Sequence, residues 1–374
     1  ADVGRGVPGV PREKIRYLRI SQRLFWPYSN AYGGQRYEPD VKQVMINWTP
    51  ARVLGTVPVE PDGSAHFTVP ADTAVYFQLL DENFMELRRM RSFISFQPGE
   101  SRGCVGCHES RQEVATPANG RFPTALLHDP VAPVPPPWGD RAMSFLRDVQ
   151  PVFDRHCAGC HSGIKPADGL DFSGGLTASY NRAYDTILQR RLISRSNVGD
   201  DARITPPLAF GSHKSKLVEV LRTGACGKRA ELSKEDWLRL VTWIDLNGPY
   251  HDGFINKRQE PPPYDLPADR ELFGALSAIH SRRCGQCHQA ADVTRSDWID
   301  LARPEQSRFL RAPLAGATPG GPACSRAVYQ DANDPDYRTA LDLVRAAVTK
   351  AWERPRRDLQ AVAPRDGTKG YAAK

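Results

Sequence analysis

Three copies of one short pattern constrain this chain more than anything else in it. They are Cys104-Val105-Gly106-Cys107-His108, Cys157-Ala158-Gly159-Cys160-His161 and Cys284-Gly285-Gln286-Cys287-His288. Residues three apart on a helical turn share a face. Both thiols of such a pattern can therefore add to the two vinyl groups of one porphyrin, and the imidazole that follows falls beneath its iron. The spacing is the attachment signal of c-type haem. Zinc is the chemical rival, but the paired Cys-x-x-Cys units of a zinc site lie about 12–20 residues apart. These begin at residues 104, 157 and 284, too far apart and too unevenly. Neither zinc nor a thioredoxin-like dithiol demands a histidine after every second cysteine. The sequence thus predicts three covalently bound c-type haems, each with its iron. Cys104, Cys107, Cys157, Cys160, Cys284 and Cys287 are the attachment residues, and His108, His161 and His288 the proximal ligands.

The identity of the sixth ligand decides whether a haem iron relays electrons or does chemistry, because two histidines close the iron while an open position admits a substrate. Six other histidines remain: His66, His128, His156, His213, His251 and His280. His213 is the leading distal candidate, within the second haem module and ahead of its clearest helix. His251, just past that helix, is the candidate for the third haem. His156 and His280 lie too close to their own motifs to reach round the haem, although His280 can serve another one. For the first haem the sequence leaves His66, His128, Met85 and Met90 open. Cys226 and Cys324 belong to no motif, and in an oxidising compartment two spare thiols are expected to pair.

Two proline triplets, Pro135-Pro136-Pro137 and Pro261-Pro262-Pro263, read as extended linkers. They leave one motif in each segment: a β-rich domain over 1–129, a helical cytochrome c-like domain over 139–258, a small helical domain over 268–353 and a mobile polar tail over 354–374. In the first, Ile15–Ile20, Val44–Ile46, His66–Val69, Ala74–Leu80 and Arg91–Phe96 are the expected strands, with turns at Asp62-Gly63 and Asp81-Glu82-Asn83. In the second, Met143–Phe153 leads into the haem motif as a helix. Ser233 caps another helix that carries Trp237, Leu240, Val241 and Ile244 and stops at Asn247-Gly248-Pro249. In the third, Tyr337, Leu341, Val344, Val348 and Trp352 recur on one helical face. The expected fold is α+β and loop-rich: an N-terminal β-sandwich-like domain followed by mainly α-helical cytochrome c-like domains.

The 374 residues carry a formal charge of +7. Haem propionates offset part of that excess, and the Lys and Arg residues are scattered, so nucleic acid is not an expected partner. No apolar run reaches the roughly 18 residues of a transmembrane segment, and residues 1–14 lack a signal-peptide hydrophobic region. Because c-type haem is attached after export, the chain is expected to be a mature protein or part of a longer precursor. Its expected location is the periplasm or the outside of a bacterial cell envelope.

Several stretches carry a family likeness: Met90-Arg91-Ser92-Phe93, Gln97-Pro98-Gly99-Glu100, Gly103 to Glu109, Pro151 to Cys157, Gly211-Ser212-His213, Leu240 to Asn247 and Asn333 to Tyr337. From about Val10 to Tyr337 the chain resembles the haem-bearing middle and C-terminal regions of hydrazine synthase alpha subunit-like multihaem cytochromes. The resemblance implies a β-rich first haem domain and a distal ligand at His213. It also implies two departures. The family's enzyme carries two haems and an N-terminal propeller, whereas this chain has three motifs and is expected to have no room for a propeller, and the family places a tyrosine four residues past the first haem's histidine, where Gln112 stands here.

The leading functional expectation is electron transfer through three haems between redox partner proteins. The second is a haem enzyme subunit acting on a small nitrogen or oxygen compound at an open first haem. The third is a protomer of a homo-oligomer, filament or larger redox complex.

Overall fold

Strand β1 (Tyr17–Arg23) is the centre from which the first part of the chain is built. It pairs antiparallel with β2 (Ala51–Pro58) on one side and β3 (Val75–Leu80) on the other, and β3 pairs with β4 (Glu86–Arg89). The sheet order is β2-β1-β3-β4. The computed structural model describes residues 3, 7–24, 50–90, 92–104, 106–107, 122–163, 166–195, 206–224, 232–253, 262–289, 293–317, 324 and 326–362. Two compact units divide the chain. The first comprises residues 1–29, 40–152 and 191–254, the second residues 30–39, 153–190 and 255–374.

In the first unit, side-chain alternation gives the sheet two unlike faces. Leu18, Ile20, Val57, Val75, Phe77 and Leu79 fall on one face and pack with Leu87, Val7, Val10 and Ile15 into an apolar core. Gly55, opposite Ile20, allows a close approach, since a Cβ there would lie 2.6 Å from Pro133 Cβ. The other face carries Arg19, Ser21, Gln78, Glu86 and Arg89, all buried. It is covered by helix, not by a second sheet. Among the described residues the strands form one sheet, so the expected sandwich becomes a sheet with a helical cover. Val44–Ile46 lies outside the described residues. Arg91–Phe96 does not close the sheet as a strand: Ile94 makes only an isolated bridge to Val75, and the charged β4 takes the edge instead. Its Glu86 and Arg89 satisfy each other in a bidentate pair at 2.7 and 2.8 Å, which lets a charged strand be buried.

The helices of the first unit follow their caps. A π-helical turn over Phe145–Val149 runs into α1 (Gln150–His156), and the division between units falls after Val152. Helix α2 (Arg182–Gln189) belongs to the second unit, whereas α3 (Lys216–Thr223) and α4 (Lys234–Asp245) belong to the first. Ser233 Oγ accepts the Asp236 N–H at 3.0 Å as the N-cap of α4. Leu240, Val241, Trp243 and Ile244 are buried, and Asn247 and Gly248 end the helix with positive φ. Trp243 Nε1 donates to Pro249 O at 2.8 Å, and its ring lies 5.2 Å from that of Phe145.

The second unit is helical. Helix α5 (Arg270–Arg283) starts at the Asp269 cap; α6 (Arg308–Arg311) is short; α7 (Pro335–Glu353) starts at Asp334 with proline in its first turn. Leu272, Phe273, Leu276 and Ile279 share a buried core with Tyr337, Ala340, Val344, Ala347, Val348 and Ala351. At the C-terminal end of α5, Arg282 and Arg283 reach Asp336 at 2.7 Å, and Arg283 reaches Asp334 at 3.0 Å. These acids sit in the first turn of α7, where the helix dipole favours them. Beyond Pro355 the chain forms α8 (Arg357–Val362). Leu359 joins the core, and Arg356 bonds Asp358 and the carbonyls of Ala178 and Tyr180. The polar tail expected from residue 354 is thus packed as far as this helix.

Candidate haem sites

Two of the three motifs adopt the same local structure because each follows a helix that runs out of length. At the end of α1 the Cys157 N–H donates to Phe153 O at 2.8 Å, and the Cys160 and His161 N–H groups donate back to Cys157 O at 3.2 and 2.9 Å. At the end of α5 the Cys284 N–H donates to His280 O at 2.7 Å, and the Cys287 and His288 N–H groups donate to Cys284 O, both at 3.0 Å. Each motif is therefore one extra turn that carries its two thiols three residues apart. In both, the first cysteine is half-buried and the second exposed. The Arg282 and Arg283 pairs to α7 hold the end of α5 from which the third motif departs.

His161 shows how a metal-binding tautomer is set. Its Nδ1 lies 3.0 Å from Ala167 O. A carbonyl only accepts, so Nδ1 carries the proton and Nε2 keeps the lone pair a metal needs. The loop returns to the histidine, with the Phe172 N–H donating to His161 O at 2.7 Å and the Phe172 ring 5.3 Å from the imidazole. Two thiols on one turn and an imidazole with a fixed tautomer fit c-type haem. His288 sits among rings instead, 6.1 Å from His280 and 6.0 Å from Trp298.

The first motif is built differently. Cys104 and Cys107 are half-buried, and Cys107 packs against the apolar core of the sheet. Burial pushes its thiol up to about 11, with Arg88 opposing the shift and Glu86 adding to it. His108 and Gln112 lie outside the described residues.

The remaining candidates are dispersed. His213, on a 3₁₀ turn over Ser212–Lys214 in the first unit, has its Nε2 3.1 Å from Asp81 Oδ2, an ion-pair distance without hydrogen-bond alignment. His251, also in the first unit, is buried with its ring 4.8 Å from Tyr250. His66 Nδ1 meets His128 O at 3.1 Å, and Met85 is buried. Cys324 is a free thiol, so the expected Cys226–Cys324 bridge is not present; Cys226 lies outside the described residues. Cys324 lies within electrostatic reach of Cys284 and Cys287, and Arg326 Nη2 bonds Gln286 Oε1 at 2.8 Å. Sequence reasoning missed Ala167, whose contribution is a carbonyl without a side-chain signal. It missed Asp81 and Asp245 as well. Asp245 had one signal: it is an acid in the last turn of a helix, where the dipole disfavours it unless other donors are present.

Residues 14–109 match the family model described as the hydrazine synthase alpha subunit middle domain. Hydrazine synthase subunit alpha of Kuenenia stuttgartiensis is 24% identical over 263 residues, which cover 52% of this chain and 32% of that protein. The solved structure of Kuenenia stuttgartiensis hydrazine synthase covers 66% of this chain and 41% of its own, with a TM-score of 0.45 and 21% identity. The chain therefore spans about a third of the length of the curated relative it matches. Two Cys-x-x-Cys-His turns at the ends of separate helices stand in a chain of mixed α+β structure. Over residues 14–109 the chain is thus similar to the hydrazine synthase alpha subunit middle domain.

Proposed function

We propose that this chain is a subunit of a haem enzyme complex, with c-type haem bound at its Cys-x-x-Cys-His motifs and substrate chemistry at the first of them. One observation carries the reading. The match to the hydrazine synthase alpha middle domain spans residues 14–109, so it takes in the four-stranded sheet and ends beside His108. The matched span takes in the β-domain and the Cys104–His108 motif together. In this reading Cys104 and Cys107 hold the haem and His108 ligates its iron. An iron with an open position supplies Lewis-acid and redox chemistry to a small nitrogen or oxygen compound. Packing of Cys107 into the sheet core would hold one thioether on rigid structure and shield that edge from water.

The second and third haems have a supporting role, bound through Cys157, Cys160 and His161 and through Cys284, Cys287 and His288. Both motifs belong to the second unit and share one turn geometry, which supports their serving as electron carriers for the first. His213 and His251 are the proposed further iron ligands. The substrate is a separate matter, because Gln112 stands where the resemblance implies a tyrosine. An amide neither ionises nor forms a phenolate ligand, so the compound transformed here differs from that of hydrazine synthase or is handled by another residue. In this reading the protein works in the periplasm or outside the cell, because c-type haem is attached after export.

The test is spectroscopic. Purified protein should show three haems per chain by pyridine haemochrome and intact mass, and one high-spin ferric signal in EPR that shifts with cyanide or nitric oxide. A wholly low-spin spectrum that ignores both ligands rejects the enzyme reading and leaves electron transfer. A haem count below three rejects the corresponding motif.

A further inference from the structure

Two stretches of the sequence, Gly211-Ser212-His213 and Leu240 to Asn247, are far apart in the chain, and the fold joins them through one carboxylate. Asp245, at the end of α4, is fully buried. Its Oδ1 accepts the Ser212 N–H at 2.7 Å, and its Oδ2 accepts the Glu86 N–H of β4 at 3.0 Å. Arg19 of β1 approaches Oδ2 at 3.5 Å, and Arg89 donates to the Asp245 main-chain carbonyl at 2.6 Å. Ser212 Oγ in turn accepts the Glu86 N–H at 3.2 Å. One side chain therefore ties the turn bearing His213 to the edge of the sheet.

The neighbouring residues are arranged for this contact. Gly211 has φ +75°, and a Cβ there would lie 2.8 Å from Asp245 Oδ1. Only glycine brings the backbone close enough and with the right dihedral. The Gly211 N–H donates to Ser194 O at 3.0 Å, the Leu208 N–H to Leu87 O at 3.0 Å, and the Arg89 guanidinium lies 4.9 Å from the Phe210 ring. On its far side the imidazole of His213 faces Asp81, in the β3–β4 hairpin, whose own carboxylate accepts the Asn83 and Met85 N–H groups at 2.8 and 2.9 Å. The turn carrying His213 is thereby given the rigidity of the sheet.

We propose that Asp245 is the positioning residue for His213: by accepting the Ser212 and Glu86 N–H groups with one carboxylate, it locks the His213 imidazole in register with the β-sheet. The consequence for haem rests on the reading of His213 as an iron ligand, whereas the lock itself does not. A ligand held this way keeps one geometry through oxidation and reduction, and loosening it opens the iron to outside ligands.

Three measurements test the proposal. In the unmodified protein, the Ser212 amide should exchange hydrogen as slowly as the Glu86 amide, within about tenfold, because one carboxylate holds both. Exchange at the rate of an ordinary loop amide overturns the lock, with no variant needed. In Asp245→Asn the amide side chain presents one oxygen and one NH₂ to two N–H donors, so one of the pair is lost. Exchange at Ser212 should accelerate at least tenfold, and so should carbethoxylation of His213 by diethyl pyrocarbonate, while far-UV circular dichroism and haem content hold. Gly211→Ala, which pushes on the same contact from outside, should do the same, and unchanged rates in a folded variant refute the role. His213→Ala then separates the two ideas. If it leaves the EPR spectrum and the midpoint potentials unchanged, His213 is not a ligand, and the exchange data still decide the lock. If it creates a high-spin fraction, Asp245→Asn should create part of the same fraction.

Discussion

Replacing Asp185 by asparagine should make this protein more stable at pH 8 and remove part of its pH dependence. Asp185 lies in α2 of the second unit and is 4% exposed. Thr177 Oγ1 donates to it at 2.6 Å. Burial pushes its carboxyl from about 3.8 up to about 7; hydrogen bonds from Thr177 and Ser296 work against the shift, Asp297 adds to it, and Arg356 opposes it. Between pH 4 and 7 the folded protein therefore keeps a proton that the unfolded chain has lost. Stability then falls as pH rises through that window and levels off above it. A shift of roughly 3 units corresponds to about 4 kcal/mol at 1.36 kcal/mol per unit, an upper bound because the folded site relaxes on ionisation. The side chain introduced by Asp185→Asn would keep an acceptor for Thr177 and carry no charge. Urea unfolding of parent and variant at pH 5, 6, 7 and 8, followed by far-UV circular dichroism, isolates this residue, since the other titrating groups cancel in the difference. The variant should gain about 1–2.5 kcal/mol relative to the parent between pH 5 and pH 8. Parallel stability profiles would refute the assignment of a proton to the folded state at this site.

Three further outcomes follow from the packing. Ser233→Ala removes the acceptor for the Asp236 N–H and should cost about 1 kcal/mol in the same unfolding assay; no change would mean that α4 is capped by other means. Leu310→Ala, in the core of the second unit, should cost about 2–5 kcal/mol, read as a fall in the midpoint of thermal unfolding, and a loss under about 1 kcal/mol would contradict its burial. Cys324 should be labelled by iodoacetamide in denatured protein that has never met a reductant, as mass mapping will show; labelling only after reduction would show that it is paired.

The parts read most directly from sequence are those whose signal is local. Ser233 with Asp236 predicts a cap, and Ser233 Oγ accepts the Asp236 N–H. Asn247-Gly248-Pro249 predicts a helix stop, and the chain turns there with positive φ at Asn247 and Gly248. The Tyr337-Leu341-Val344-Val348-Trp352 stripe predicts a buried helical face; α7 buries Tyr337, Val344 and Val348, and Leu341 and Trp352 pack partly buried against the same core. The readings that changed depended on partners remote in sequence. β4, Glu86-Leu87-Arg88-Arg89, is not among the expected strands, and it is buried because Glu86 and Arg89 pair with each other and Arg89 bonds the Asp245 carbonyl. Arg91–Phe96 looks like a better strand, yet among its described residues only Ile94 bridges β3 through main-chain hydrogen bonds. Leu359 lies in a segment polar enough to pass for a tail, but Arg356 finds Asp358 and two carbonyls, and the leucine is buried.

The haem motifs divide the same way. Composition and spacing alone predict that six cysteines and three histidines serve as haem attachment turns, because vinyl addition and iron ligation are set by residues within five positions of each other, and the second and third motifs form such a turn. Tertiary structure decided what surrounds each turn. It set Cys107 against a β-sheet core, set the His161 tautomer through a carbonyl that no side chain announces, and joined the His213 turn to the sheet through Asp245. The physical reason is range. Covalent attachment is a local geometry, whereas burial, tautomer and rigidity belong to groups brought together only when distant segments pack.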